Sequence, residues 1–143
     1  MNSAETPDRL RALPTWLLAQ AALRGQALVA AQLATDGTHR SHYALLATLD
    51  QFGPQSQAAA SQRIGVDQGD LVRLVDELVA RTWAERTQDP QDRRRNIVAV
   101  TDQGRTALAE LEGRIQVAQQ ALVSPLTPAE RDELKRLLAT LLG

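Results

Sequence analysis

Thr82-Trp83-Ala84-Glu85-Arg86-Thr87 and Asn96-Ile97-Val98-Ala99-Val100-Thr101 are the strand-like runs of a chain that elsewhere keeps helical spacing. Between them lies Gln88-Asp89-Pro90-Gln91-Asp92-Arg93-Arg94-Arg95, a polar segment carrying proline and aspartate turn signals. Together the three pieces predict a two-stranded hairpin with a long charged tip. An isolated hairpin is marginal in water, so this one has to lean on the helices before it.

Working upstream, Asp67 is a good N-cap for a helix whose buried face carries Leu71, Leu74 or Val75, and Leu78. Gly65-Val66 reads as a tight turn, and Ser56 to Ile64 as a short helix. Gly53-Pro54 ends an earlier helix with Leu45, Leu46, Leu49 and Phe52 as its apolar residues and Ser41 as its cap. Thr35-Asp36-Gly37-Thr38 is a breaker cluster. It separates that helix from a first one running from Pro14 to about Ala34, with Leu18, Ala22, Val29 and Leu33 on one face and Gly25 as an interior weak point.

Downstream of Thr101-Asp102 a long helix is expected. Leu108, Leu111, Ile115, Ala118 and Leu122 form a narrow apolar seam in it, suited to the chain's own core or to a second copy. Pro125 stops this helix, and Thr127-Pro128-Ala129-Glu130 is a capping box for a last one. Leu134, Leu137, Leu138, Leu141 and Leu142 give the last helix more apolar surface than a free tail would carry.

Composition agrees with a mainly helical fold. Ala and Leu supply 45 of the 143 residues and only four residues are aromatic, which leaves little material for a large sheet. The length suits one domain. A formal charge of −1 means that any nucleic-acid surface must come from local clustering. The absence of cysteine excludes disulfides, thiolate chemistry and Cys-containing zinc sites. Two histidines, His39 and His42, are too few for a metal site and suit the start of a helix. Neither a metal nor a cofactor is expected. The longest apolar run, residues 27–31, is far short of the roughly 18 residues a membrane span needs. Residues 1–15 show no signal-peptide pattern, so the expectation is a cytoplasmic protein that does not engage membranes. No nucleophile–base pairing, phosphate-binding glycine loop or usefully spaced carboxylate pair points to an enzyme.

Two short helices, a glycine-containing turn and a hairpin spell a winged helix-turn-helix, with the other helices flanking it. The segment from His42 to Gly104 resembles the MarR family of bacterial transcription regulators. The likeness is carried by Ile64-Gly65-Val66-Asp67, by Leu71-Val72-Arg73-Leu74-Val75-Asp76-Glu77-Leu78, and by Asp89-Pro90-Gln91-Asp92-Arg93-Arg94 followed by Val100-Thr101-Asp102-Gln103-Gly104. The resemblance implies a homodimeric regulator, in the main a repressor, that binds a near-palindromic operator in double-stranded DNA and answers to a small-molecule effector. Residues 8–37 and 104–143 would be dimerisation helices and 38–103 the DNA-binding lobe of a single domain spanning 1–143.

The chain departs from the family pattern at three places. Ala60-Ser61 stand where Leu-Ala is usual, which predicts looser packing. Thr82 stands where a glycine normally ends the recognition helix. Gln68-Gly69-Asp70 replace a polar, hydroxyl-bearing start, so weaker phosphate contact is expected.

A helix set in the major groove presents its first turns to base edges. Gln68 suits an adenine, Arg73 a guanine or a phosphate, and Val72 a thymine methyl, while Gly69 lets the backbone come close. From Arg81 to Arg95 five arginines face three acids, a local excess of +2. Arg93, Arg94 and Arg95 at the tip suit a narrow minor groove. By resemblance, Arg94 inserts there and Asp92 orients a neighbouring arginine. Effectors in the family bind between the first helices and the DNA-binding lobe, which singles out Trp16, Gln20, His42 and Tyr43. The alternative is a winged-helix module that binds protein partners and not DNA. The near-zero net charge and the acids Asp70, Asp76 and Glu77 on the recognition helix favour it.

Overall fold

A computed structural model describes residues 6–143; the first five positions of the N-terminal stretch read above lie outside the described residues. Among the described residues seven α-helices and three short strands follow in the order α1 (Asp8–Arg11), α2 (Pro14–Leu33), α3 (Arg40–Phe52), β1 (Gln55–Ser56), α4 (Gln57–Ile64), α5 (Gln68–Ala80), β2 (Ala84–Gln88), β3 (Asn96–Val100), α6 (Asp102–Val123) and α7 (Pro128–Leu142), with one 3-10 turn, Ala34–Asp36, after α2.

Most boundaries have a local cause that is visible in the side chains. Pro14 opens α2 at its first turn. Asp67 caps α5 by accepting from the Asp70 N–H at 2.8 Å, and Thr101 caps α6 by accepting from the Gly104 N–H at 3.0 Å. Thr127 and Glu130 bond reciprocally at the start of α7. Gly65 takes the left-handed conformation that closes α4 and sets the turn into α5.

The sheet differs from the expected hairpin. It has three strands in the order β1-β3-β2, all antiparallel, because Gln55 and Ser56 pair with Val98 and Ile97. Two residues are too few to leave a periodic signal in sequence. Their pairing gives β3 a neighbour on each side and ties the wing to the start of α4.

Helix α3 also starts differently. Its cap is His39, not Ser41: the His39 N–H donates to Nδ1 of His42 at 3.1 Å. Phe52, expected among the apolar residues of this helix, is half exposed with the Arg63 guanidinium 3.9 Å over its ring.

One core holds the lobe together. Leu45, Leu46 and Leu49 of α3 meet Leu71, Leu74, Val75 and Leu78 of α5, with Val98 and Val100 of β3 beneath and Leu108 and Leu111 of α6 behind. Leu74 and Val75 are both buried, so α5 turns a broad face inward. Ala60 and Ser61 are buried as well, and the Ser61 hydroxyl donates to the Ala58 carbonyl, which removes the cost of a polar atom there.

The seam on α6 is used mostly within the chain. Leu108, Leu111 and Ala118 are buried and Ile115 packs on the core. The other end of the molecule is left open. Residue Leu33 alone of α2 is buried, Leu18 and Ala22 on its expected inner face remain exposed, and α7 buries no residue. Gly25 is a close approach, not merely a weak point: a Cβ there would lie 3.2 Å from Cδ2 of Leu122 on α6.

Candidate nucleic-acid interface

Two groups of exposed residues converge on one side of the lobe. Gln68, Gly69, Val72 and Arg73 occupy the first turns of α5, opposite its buried face, and all are exposed. Across from them, the β2–β3 tip carries Arg93, Arg94 and Arg95, also exposed. Between the two lies a cleft of about 180 Å³ lined by Gln68, Arg94 and Arg95 together with Ser56, Gln57, Ala58 and Asn96. Helix start and wing thus share one surface, as a winged DNA reader requires.

The tip is shaped by its own backbone. Asp89 Oδ1 accepts from the Gln91 N–H at 2.9 Å, and the Asp89 N–H donates to the Arg95 carbonyl at 2.9 Å, closing the loop. Asp92 Oδ1 accepts from the backbone N–H of Arg94 at 3.0 Å. Its contact is therefore with the Arg94 main chain and not with a guanidinium. Among the described residues no carboxylate lies within ion-pair distance of the Arg93, Arg94 or Arg95 side chains.

The remaining two arginines of the 81–95 stretch are committed elsewhere. Arg81 donates to the Asp36 carbonyl at 2.8 Å and lies over the Trp83 ring. Arg86 Nη2 meets Asp76 Oδ1 at 2.6 Å and its Nε donates to Gln57 Oε1 at 3.0 Å. The acids of α5 are matched in turn: Asp70 to Arg73 at 3.2 Å, Asp76 to Arg86, and Glu77 to the His42 imidazole at 2.5 Å. The charges of Asp70 and Asp76 are thus compensated within the lobe and Glu77 is hydrogen-bonded to an imidazole, whereas among the described residues the positive charge of the tip has no such partner.

Thr82 ends α5 in the left-handed region, with φ of +64°. A conformation that favours glycine is here taken by a β-branched residue. It is held by the Thr82 N–H on the Val79 carbonyl, by the Trp83 N–H on the Leu78 carbonyl, and by the Thr101 hydroxyl on the Thr82 carbonyl.

A family model for the MarR family matches residues 36–95. The fold matches a transcriptional repressor, CouR, solved on a 23-mer DNA duplex, at 27% identity, covering 94% of this chain and 95% of that one, with a TM-score of 0.83. It matches a probable transcriptional regulator from Pseudomonas aeruginosa at 29% identity, 92% and 98% coverage and a TM-score of 0.80. Residues 36–95 thus match the MarR family, and the whole fold matches transcription regulators solved with and without DNA. A further match is the PcaV transcriptional regulator from Streptomyces coelicolor, solved with its natural ligand, at 26% identity, 93% and 94% coverage and a TM-score of 0.76.

The residues singled out for an effector are not brought together in this chain. Trp16 and Gln20 line an open depression of about 780 Å³ on α1 and α2, with Leu17, Leu23 and Arg24. His42 is buried, and both its ring nitrogens are occupied, by the His39 N–H and by Glu77. Burial lowers its pKa, with His39 and Arg81 acting the same way and Glu77 opposing, so the ring is held neutral. Tyr43 is half-buried and donates to Glu112 at 3.4 Å; burial, and then the Glu112 charge, raise its pKa.

Three residues of this surface go unmarked in the sequence: Gln57, Asn96 and Arg86. Gln57 and Asn96 enter through β1 and the β3 register, which no periodicity betrays. Arg86 reads as free charge from sequence, whereas its strand position sets it facing α5.

Proposed function

We propose that this chain is a dimeric, sequence-specific DNA-binding transcriptional regulator that responds to a small ligand. The observation that carries the reading is the side-by-side placement of three unpaired arginines at the wing tip and the exposed start of α5. Arginine at a wing tip suits the focused negative potential of a minor groove, and the first turns of a helix suit base edges in the adjacent major groove. Gln68, Gly69, Val72 and Arg73 take the base-reading role, and Arg93, Arg94 and Arg95 the groove and backbone role. The DNA-bound state of CouR and the ligand-bound state of PcaV, on the same fold, support both halves of the proposal. The pairing of Asp70, Asp76 and Glu77 within the lobe weakens the case for a surface that only binds proteins.

Dimerisation falls to residues 8–37 and 104–143, with 38–103 as the DNA-binding lobe. Among the described residues, the exposed large apolar side chains other than Phe52, Val72 and Val79 all lie in these terminal segments, from Leu10 to Leu23 and from Val117 to Leu142. A second copy removes that surface from water and sets two wings on two half-sites. No described helix is long and apolar enough to cross a membrane, and a DNA-binding role places the protein in the cytoplasm.

Footprinting on the DNA upstream of the chain's own gene tests the reading. Two protected half-sites about one helical turn apart are expected. Uniform protection that scales only with protein concentration would refute sequence-specific reading. Sedimentation at micromolar concentration should give a dimer, which a charge at Leu138 disrupts.

A further inference from the structure

His39 and His42 at the start of α3 and Glu77 on α5 form a cluster that the DNA-binding reading does not use. One ligand atom from each lies within 4.8 Å of the others, and the two imidazole centroids are 3.9 Å apart. Glu77 is also the exception among the α5 acids. Asp70 and Asp76 are neutralised by arginines, whereas Glu77 faces two imidazoles. Arg81, the cation whose field reaches His42, has its guanidinium on the Asp36 carbonyl and over Trp83.

We propose that His39, His42 and Glu77 form a divalent transition-metal site that cross-links the start of α3 to the recognition helix. Two imidazoles and one carboxylate are a donor set that zinc and its neighbours in the first transition row accept, with the remaining position left to water. Tetrahedral coordination at ordinary zinc–ligand distances puts donor atoms roughly 3.3 Å apart. The widest spacing here closes by a rotation of the exposed His39 side chain that also moves its ring off His42.

The proton balance follows from the hydrogen bonds. Without metal, Nδ1 of His42 accepts from the His39 N–H, so the ring's proton sits on Nε2 and is donated to Glu77. A metal ion on Nε2 takes that proton's place. The ring then carries its proton on Nδ1, and the contact with the His39 N–H opens. Metal binding thus exchanges the α3 cap for a coordinate link between α3 and α5. On the regulatory reading above, that link bears on the helix assigned to base reading; binding of the ion itself does not depend on that reading.

Zinc and cobalt ions, titrated into the full chain without DNA against a competing chromophoric chelator, test the site. One ion per chain at low-micromolar affinity is expected, with a visible cobalt band of nitrogen–oxygen coordination and a rise in Tm at saturating zinc. His39→Ala and Glu77→Gln should each weaken uptake roughly tenfold or more and remove the zinc-dependent rise in Tm. Both variants should preserve the fold, since the His39 side chain is exposed and the amide oxygen introduced by Glu77→Gln still accepts from His42; metal-free Tm values close to wild type check this. Uptake only at millimolar zinc, or uptake unchanged in both variants, overturns the proposal.

Discussion

Arg86 of β2 holds Asp76 of α5 at 2.6 Å while its Nε reaches Gln57 at the start of α4, so one guanidinium joins the wing to both helices of the helix-turn-helix. The pair lies beside the surface assigned to DNA, and Asp76 is more than half exposed. Arg86→Ala releases a carboxylate next to the phosphate backbone and loosens the wing. Operator affinity should fall roughly tenfold, about 1.4 kcal/mol, with a stability loss of about 1 kcal/mol. Adding Asp76→Asn should restore part of the affinity, because the uncompensated charge is gone. A double-mutant cycle by fluorescence anisotropy measures this, and strictly additive losses would contradict it.

Thr82 occupies the left-handed region at the end of α5. A non-glycine residue there carries roughly 1–2 kcal/mol of steric cost. Glycine removes that cost but adds roughly 0.5–1 kcal/mol of unfolded-state entropy. Thr82→Gly should therefore stabilise the chain by about 0.5–1 kcal/mol, a rise in Tm of a few degrees in a thermal melt. DNA affinity should not change.

Gly104 shows the opposite constraint. A Cβ at this position would lie 2.0 Å from the Trp83 carbonyl oxygen and 2.8 Å from Val100 Cγ2, so the helix–wing contact admits only hydrogen. Gly104→Ala should destabilise by about 2–4 kcal/mol, since backbone has to move. Gly113→Ala, later in the same helix with open space around it, should instead stabilise by about 1 kcal/mol. Denaturant midpoints of the two variants, moving in opposite directions, check both statements.

How much of the molecule is legible in its sequence depends on the range of the interaction. The caps at Asp67, Thr101 and Thr127 are local hydrogen bonds between residues three apart, and each is readable in the sequence. The winged lobe is readable too, because Leu71 to Leu78 and the hairpin strands carry clear periods. What escapes is set by distant partners. Strand β1 exists only because β3 offers an edge to Gln55 and Ser56. Arg86 looks like surface charge until Asp76 comes within reach, and Glu77 joins His39 and His42 only through the packing of α5 on α3. The long seam on α6 is legible as apolar, but its period does not tell whether its own core or a second copy covers it. The core takes most of it, and the leucines of α7 stay open.

Asp36 lies where α2 turns into α3, with its carboxylate on Arg114 at 2.7 Å and on the Thr38 hydroxyl at 2.7 Å. Burial alone would raise its pKa, but the Thr38 hydroxyl, Arg114 and the Thr38 N–H together hold it below the ordinary 3.8. A carboxyl depressed on folding contributes stability above its unfolded pKa and loses it as pH falls through the folded value. The Tm difference between wild type and Asp36→Asn should be constant at neutral pH and shrink below pH 3.8. A difference that widens in acid would contradict the assignment.

Arg94 is the side chain through which DNA reading by the wing is best probed. It stands at the wing tip with its main chain bonded to Asp92 and, among the described residues, no carboxylate on its guanidinium, so on the proposed function its removal should cost DNA contact and little else. Affinity of wild type and Arg94→Ala for the natural operator should be measured across a range of salt concentrations, with thermal melts alongside. A loss of about 1–3 kcal/mol in binding is expected, with a salt slope shallower by about one phosphate-equivalent per wing and an unchanged Tm. Wild-type affinity and wild-type salt slope in a folded Arg94→Ala would contradict DNA reading by the wing.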